Sequence, residues 1–418
     1  MEVCHIESLG ERIQKLRKQQ KFTLEALAGS ELTKGMLSLI ENNKANPSME
    51  SLTYIAKRLG VEVSELLEEV SSQELREILA QVEKLYYTHF DDLLDEHEQI
   101  IALIEPFKSK LTRGYESARL LELYSRALHY EKKDGWQVYS DRAALIYEQM
   151  NIIPRRASIG IFRAMVLFAE FDYRNALNIL LKERFEIEKQ HTFIDPMTRL
   201  DFDYTEAVLH FAVGNSKDAL RVMESGIEFS REKQVFYRID YLYRLATFHA
   251  MMTLDTEKIK YYVKKITLYG EFTDDIEAIL FTIFIEVHYL NSYEKSHKKA
   301  LHLLDNLLAH YNIKDGLGKV HNSFLHLEKG KALFGLNKFE AALVELEKMK
   351  IPEYLNHPFD LAVLYEADAY MALSYVAVGN QNKALEHAKL AFVNISPMPH
   401  SPYKDFINET YEKIRSRQ

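Results

Sequence analysis

Apolar residues recur at helical spacing through nearly the whole chain, and the pattern changes character at about residue 70. In the first part, Leu9, Ile13 and Leu16 share one helical face, with Arg12, Lys15, Arg17 and Lys18 on the others. Thr23 stands where an N-cap is needed before Leu24–Ala28, because its hydroxyl can accept a hydrogen bond from an amide at the helix start. Residues 29–32 break the chain, Thr33 caps a third helix over Lys34–Glu41, and residues 42–47 end it. Ser48 caps a fourth helix carrying Leu52, Ile55, Ala56 and Leu59, which Gly60 ends, and a fifth begins at Val63. Leu37, Ile40, Leu52, Ile55 and Leu59 are expected in the core, and Glu41 is expected to brace the domain.

Beyond residue 155 the pattern repeats. Four segments carry a small residue and, twelve positions later, a second small residue followed by an apolar one: Ala164 with Ala176-Leu177, Ala207 with Ala219-Leu220, Gly330 with Ala342-Leu343, and Ala372 with Ala384-Leu385. A turn lies within each pair, at residues 171–173, 214–215, 337–339 and 379–380. The second small residues lie 43, 123 and 42 positions apart, and the long gap is three periods of 41. Two degenerate copies therefore fill it, one around Ala300-Leu301 and a weaker one at residues 256–268. Two antiparallel helices crossing where only Ala or Gly fits, copied and stacked, bury faces that one hairpin leaves exposed. Residues 115–150 add a further hairpin, and residues 400–418 a last capping helix after Pro397, Pro399 and Pro402. Between the two parts runs a helical, acidic stretch with Glu68, Glu69, Asp91, Asp92, Asp95 and Glu96, broken at Pro106 and expected to be a linker.

Composition supports an all-α chain, since Gly is only 15 and Pro only 9 of 418 residues, fewer than sheet-rich folds use. One cysteine, Cys4, excludes an internal disulfide and fits a cytoplasmic protein. No uncharged apolar run reaches the roughly 20 residues of a membrane span. The net charge of −9 gives no general attraction to nucleic acid, so any DNA contact must be local. Residues 1–68 hold nine Lys and Arg against ten acidic residues, with the bases concentrated between Arg12 and Lys21 and again at Lys34 and Lys44. One copy is then expected to bind DNA weakly, and two copies on two half-sites are needed.

Two short helices joined by a tight turn inside a five-helix unit describe a helix-turn-helix. The run TLEALAGSELTKGMLSLIENNKANPSMESLTYIAKRLGVEVSELL resembles the Xre or lambda-repressor-type DNA-binding domain. That resemblance implies that the third helix enters the major groove. Thr33, Lys34, Gly35 and Ser38 would face base edges there, Lys34 meeting guanine O6 and N7, while Asn43 and Lys44 would hold the backbone. Gly35 and Leu39 replace the more polar side chains common at such positions.

The repeats, clearest at GNSKDAL and GNQNKAL, resemble tetratricopeptide repeats with a longer period. The expected architecture is a lambda-repressor-like domain over residues 1–68, a helical linker over 69–114, and a right-handed tetratricopeptide-like solenoid over 115–418. This combination resembles the RRNPP group of peptide-responsive regulators of Gram-positive bacteria, most of all its NprR/PlcR type. The resemblance implies a transcriptional regulator, an activator of extracellular protease or stationary-phase genes. A short signalling peptide would bind extended in the solenoid groove, and the heads would be rearranged through self-association. The alternative is a Rap-like protein that binds a response regulator of a phosphorelay.

A buried extended peptide needs partners for its own N–H and C=O groups, and Asn, Arg and Tyr can supply them. On the first helices of the pairs, which form the inner face, the candidates are Arg126, Arg163, Asp201, Tyr204, Tyr241, Arg244 and Asn322, with Asn322 placed first. The 25 Tyr and 22 Phe are otherwise read as hairpin core. No enzyme signature, metal site or cofactor is expected. His97-Glu98 lacks a second His four residues on, there is no Gly-x-Ser-x-Gly, and residues 316–319 (Gly-Leu-Gly-Lys) read as a hairpin linker, having neither the strand nor the hydroxyl of a phosphate loop.

Overall fold

The computed structural model describes residues 8–67, 72–87, 95–191, 193–310 and 319–416. Glu68, Glu69, Asp91, Asp92, Cys4 and residues 316–318 lie outside them. Every regular element among the described residues is an α-helix. The chain divides into two units, residues 1–159 and 160–418.

The first unit opens with α1 (Leu9–Gln19), α2 (Leu24–Ala28), α3 (Lys34–Glu41), α4 (Met49–Leu59) and α5 (Val63–Leu67). The caps fall where the hydroxyls predict them. Thr23 accepts from Ala26 N at 3.0 Å, Thr33 from Met36 N at 3.1 Å and Ser48 from Ser51 N at 3.2 Å. Ser8 and Glu11 add a reciprocal capping box on α1, and Gly60 takes φ +66° to end α4. Ile13, Leu27, Leu37, Ile40, Leu52, Ile55 and Leu59 form one core. Beneath it, Arg17 Nε and Nη2 clasp the Glu41 carboxylate at 2.6 and 2.8 Å, which is the bracing expected of Glu41.

The stretch expected as a linker supplies α6 (Ser72–Tyr86) and α7 (Glu96–Ile104), followed by the hairpin α8 (Gly114–Tyr130) and α9 (Trp136–Gln149). These four helices share a core around Val82, Ile100, Ile104, Leu111, Leu120 and Tyr147.

The division between the units falls within α10 (Ile153–Ala169). The second unit continues with α11 (Tyr173–Gln190), α12 (Pro196–Ala212), α13 (Ser216–Lys233), α14 (Ile239–Met252), α15 (Thr256–Thr273), α16 (Ile276–Ser292), α17 (His297–His310), α18 (Lys319–Gly335) and α19 (Phe339–Leu346). It ends with α20 (Pro358–Leu364), α21 (Glu366–Ala377), α22 (Gln381–Ile395) and the capping helix α23 (Pro402–Arg415). The helices pack chiefly against their neighbours in the chain, as a stack of hairpins does.

The small-residue seam has its expected cause. Ala164, Ala176, Ala207, Ala219, Ala342, Ala372 and Ala384 are all fully buried, and a Cβ on Gly330 would come within 2.5 Å of Leu346 Cγ and Cδ2. The degenerate copies keep the twelve-residue register with other side chains: Thr247 with Ile259, and His288 with Ala300, all buried. Each hairpin turn also repeats one device. The residue before the N-cap takes left-handed φ, whether it is Gly214 (+80°), Gly379 (+80°), Phe171 (+63°), Leu254 (+58°) or Asn337 (+58°). In four of these turns the cap that follows is Asn or Asp, whose side chain accepts an amide: Asp172, Asn215, Asp255 and Asn380.

His288 is tolerated at its crowded position because both ring nitrogens are engaged, Nδ1 with Glu328 at 2.7 Å and Nε2 with the Tyr403 hydroxyl of α23 at 2.9 Å. Lys331 donates to Glu366 and Ser292 at 2.8 Å each. Burial works against the Glu328 charge, but Lys331 and His288 outweigh it and hold this carboxyl at about 2.

Candidate functional sites on helix α3 and in the second unit

Helix α3 buries Leu37, Ile40 and Glu41 and turns its other face outward. Gly35 and Leu39 lie near the middle of that face, flanked by Lys34, Ser38 and Met36, and both Met36 and Leu39 are exposed. Thr33 is committed as the cap. The Lys34 ammonium stands exposed, with Glu25 at 3.8 Å its one anionic neighbour among the described residues, a surface pair of little strength. Gly35 has ordinary helical φ, and a Cβ there would meet nothing within 4 Å. Lys44 is exposed beside it in the following loop.

Three expectations about this face change. Asn43 takes φ +57° and its side chain works inside the domain, accepting from Gly10 N at 3.1 Å and donating to Ser8 Oγ at 2.5 Å. Its amide ties the start of α1 to the loop after α3. Arg12 and Arg17 are not part of an outward basic patch either. Arg12 is buried and donates to Leu66 O at 2.8 Å, and Arg17 is spent on Glu41. The exposed bases of α1 and its end are Lys15, Lys18 and Lys21.

In the second unit, α10 and the first helices of the successive hairpins, α12, α14, α16 and α18, line a cavity of about 640 Å³, within the roughly 300–1,000 Å³ common for ligand sites. Tyr204 on α12, Tyr241, Arg244 and Phe248 on α14, Phe281 and Phe284 on α16, and His321 and Phe324 on α18 line it. The Tyr204 and Tyr241 rings meet edge to face at 5.6 Å. Arg244 lies over Tyr241 and Phe281, with its Nη2 3.5 Å from Asp240, while its buried Nε meets no acceptor among the described residues.

The fourth side of the cavity comes from the segment between α19 and α21. Tyr354, Leu355, Asn356, His357, Phe359 and Asp360 line it. The segment is anchored on helices far back in the chain, with Tyr173 donating to Asn356 O at 2.8 Å, and Phe359 against Phe211 at 5.2 Å. His357 Nε2 lies 3.3 Å from Val208 O, and its Nδ1 accepts from Phe359 N at 3.1 Å, so the ring is a neutral Nε2–H tautomer. Burial agrees, pushing this imidazole down to about 4 against the pull of the Val208 carbonyl. His321 is likewise lowered by burial, opposed by Glu277.

Of the seven inner-face candidates, Tyr204, Tyr241 and Arg244 come together at the cavity. Asp201 does not line it. It binds Arg238 Nε at 2.8 Å, and that guanidinium lies over the Tyr204, Tyr237 and Tyr241 rings. Arg163 pairs with Glu183 at 2.8 Å. Arg126 belongs to the first unit and joins buried Glu122 at 3.0 Å and Ser158 Oγ at 2.9 Å. Asn322 sits on α18 beside His321 but is not among the lining residues. The phenylalanines and the residues of segment 354–360 were not expected here. The former stand at helical spacing among other apolar residues, as a core stripe does, and the latter reach the cavity only through tertiary contacts. Among the described residues, no group of acidic, His or Cys side chains is arranged to hold a metal ion, and no helix is long and apolar enough to cross a membrane.

Residues 10–72 match a family of helix-turn-helix domains. No curated protein sequence matches the chain. Among solved structures, the chain is similar to PlcR of Bacillus thuringiensis in complex with a peptide and DNA, at 18% identity over 64% of this chain and 96% of that one, with a TM-score of 0.33. It is also similar to the competence regulator ComR of Streptococcus vestibularis in complex with its signalling peptide, at 19% identity over 66% and 97%, with a TM-score of 0.39. A third likeness is to a PrgX peptide complex, at 14% identity over 77% and 99%, with a TM-score of 0.26.

Proposed function

We propose that this chain is a DNA-binding transcriptional regulator controlled by a short peptide, as its resemblance to the RRNPP group implies. The observation that carries the reading is the joining, in one chain, of a helix-turn-helix domain whose α3 presents Lys34 and Ser38 outward with a helical-hairpin unit that encloses an aromatic cavity. Lys34 supplies the base contact, and exposed Met36 and Leu39 offer apolar surface to thymine methyl groups. Lys44, with Lys15, Lys18 and Lys21, supplies phosphate contacts. So few cations give weak binding for one domain, so the functional form is an oligomer holding two heads on two half-sites.

In the cavity, the Arg244 guanidinium, which lines the wall and is only loosely engaged by Asp240, gives a peptide carbonyl or carboxylate a donor, and the Tyr204–Tyr241 pair gives its side chains a stacking wall. The peptide acts by binding one arrangement of the protomers more tightly than another, since equal affinity shifts nothing. The helix-turn-helix domain favours this reading over a Rap-like response-regulator partner. Activation of protease or stationary-phase genes is the regulatory output we assign, within the cytoplasm.

Selection of duplexes from a random pool tests the proposal. Wild-type protein, alone or with a pool of short peptides, should enrich paired half-sites about one helical turn, or a multiple of it, apart. Lys34→Ala should lose about 10- to 100-fold of the preference at one base position. Failure to enrich any sequence, with or without peptide, refutes it.

A further inference from the structure

The cavity of the second unit holds one charge that the fold leaves unanswered. Asp360, in α20, lines it, and its carboxylate makes no hydrogen bond or ion pair with any described residue. The cationic and imidazole side chains of the wall are engaged elsewhere. Among the described residues, Arg244 is the only lysine or arginine on the wall, and its Nη2 lies 3.5 Å from Asp240. The His357 Nε2–H is given to the Val208 carbonyl. His288 is engaged by Glu328 and Tyr403, and His321 faces Glu277 at 3.4 Å. The rest of the wall is mostly aromatic and aliphatic, its polar members including Thr205, Glu277 and Asn356. Asp360 and the half-used Arg244 guanidinium line the same cavity. Burial alone pushes the Asp360 carboxyl up to about 7, which is what a carboxylate without a partner shows.

We propose that Asp360 is the recognition point for a cationic group of the cavity's ligand, an ammonium or guanidinium, whose neighbouring apolar side chain packs on the phenylalanine wall. This rests on the reading of the cavity as a peptide site, and it narrows that reading to a peptide bearing a Lys, an Arg or a free N-terminal amine at the buried position. A half-buried carboxylate that gains a cation at hydrogen-bond distance exchanges a partly desolvated, unpaired charge for a charge-assisted bond. A neutral ligand of the same shape leaves the charge as it was. Selectivity for the cation is therefore expected to exceed the affinity difference that one surface ion pair provides.

The test uses the full chain and a randomised pool of seven-residue peptides in which basic positions are Lys, acetyl-lysine or norleucine, each synthesised with free and acetylated N-termini. Captured peptides are identified by mass spectrometry. Wild type should enrich peptides with a free amine, from Lys or the N-terminus, at least tenfold over their acetylated counterparts. Asp360→Asn should abolish that enrichment while still capturing the acetylated or norleucine peptides with the same apolar residues, and that residual capture together with an unchanged helical spectrum shows the variant is folded. Capture by wild type without preference for the cation overturns the inference and leaves the peptide-site reading standing. Cation preference that survives in Asp360→Asn overturns it equally. No capture of any peptide by wild type overturns both.

Discussion

Replacing Asp360 by Asn should stabilise the second unit, and by an amount that depends on pH. Partial burial without a counter-charge pushes the carboxyl up to about 7 in the fold, against 3.8 for the ordinary group. Between those values the folded state holds a proton that the unfolded chain has released. Stability from this group is therefore full below about 3.8 and is lost as pH rises towards 7. The separation, at about 1.4 kcal/mol per pH unit, amounts to roughly 4 kcal/mol. An amide of nearly the same size removes that loss. The expected gain is about 1 kcal/mol at pH 4.5, about 3 kcal/mol at pH 6 and about 4 kcal/mol at pH 8.5, all upper bounds where cavity water solvates the carboxylate. Urea titrations followed by far-UV circular dichroism give the comparison. The single tryptophan, Trp136, lies in α9 of the first unit, so its fluorescence reports that unit separately. A variant no more stable than wild type at pH 8.5, or one whose gain does not change between pH 4.5 and 8.5, shows that Asp360 is paired or freely hydrated and removes the basis of the argument.

Three further outcomes follow from contacts already described. Glu41→Ala leaves the largely buried Arg17 guanidinium without its carboxylate and should destabilise the helix-turn-helix domain by about 3 kcal/mol, seen as faster hydrogen exchange in α1 and α3; unchanged exchange counts against it. Gly330→Val drives side-chain atoms into Leu346 and should cost about 1–3 kcal/mol, read as a fall of several degrees in the thermal transition of the second unit. Gly35→Ala meets open space in an ordinary helical turn, so it should stabilise the domain by about 0.5–1 kcal/mol while weakening retention on selected DNA, because the added methyl stands on the face proposed to approach the groove. Equal DNA retention by this variant would place Gly35 off the interface.

The local rules of the fold were legible, and the long-range ones were not. Hydroxyls at Thr23, Thr33 and Ser48 announce their helices because capping is decided within four residues. The repeat is visible wherever Gly precedes Asn at the turn and Ala marks both crossings. It fades in the middle copies because Leu254 adopts the left-handed turn conformation without being Gly, and because Thr247, Ile259 and His288 occupy crossing positions with larger side chains. His288 fits only through partners 40 and 115 residues away. Arg17 reads as a surface base until the fold brings Glu41, 24 residues on, against it. At the cavity, Tyr204, Tyr241 and Arg244 were found by counting inner-face positions. Asp360 and His357 were not, because nothing in the local sequence around Pro352 and Pro358 says that this connection turns back to helices near residues 173 and 208.

That returning connection has a mechanical consequence. A stack of hairpins stretches and twists like a spring, each coil coupled only to the next. The walls of the cavity draw on α10, α12, α14, α16, α18 and α20, so one guest lodged there touches coils whose own contacts are chiefly with their neighbours. A small molecule in that place acts as a tie rod across the coils it touches, fixing their pitch together.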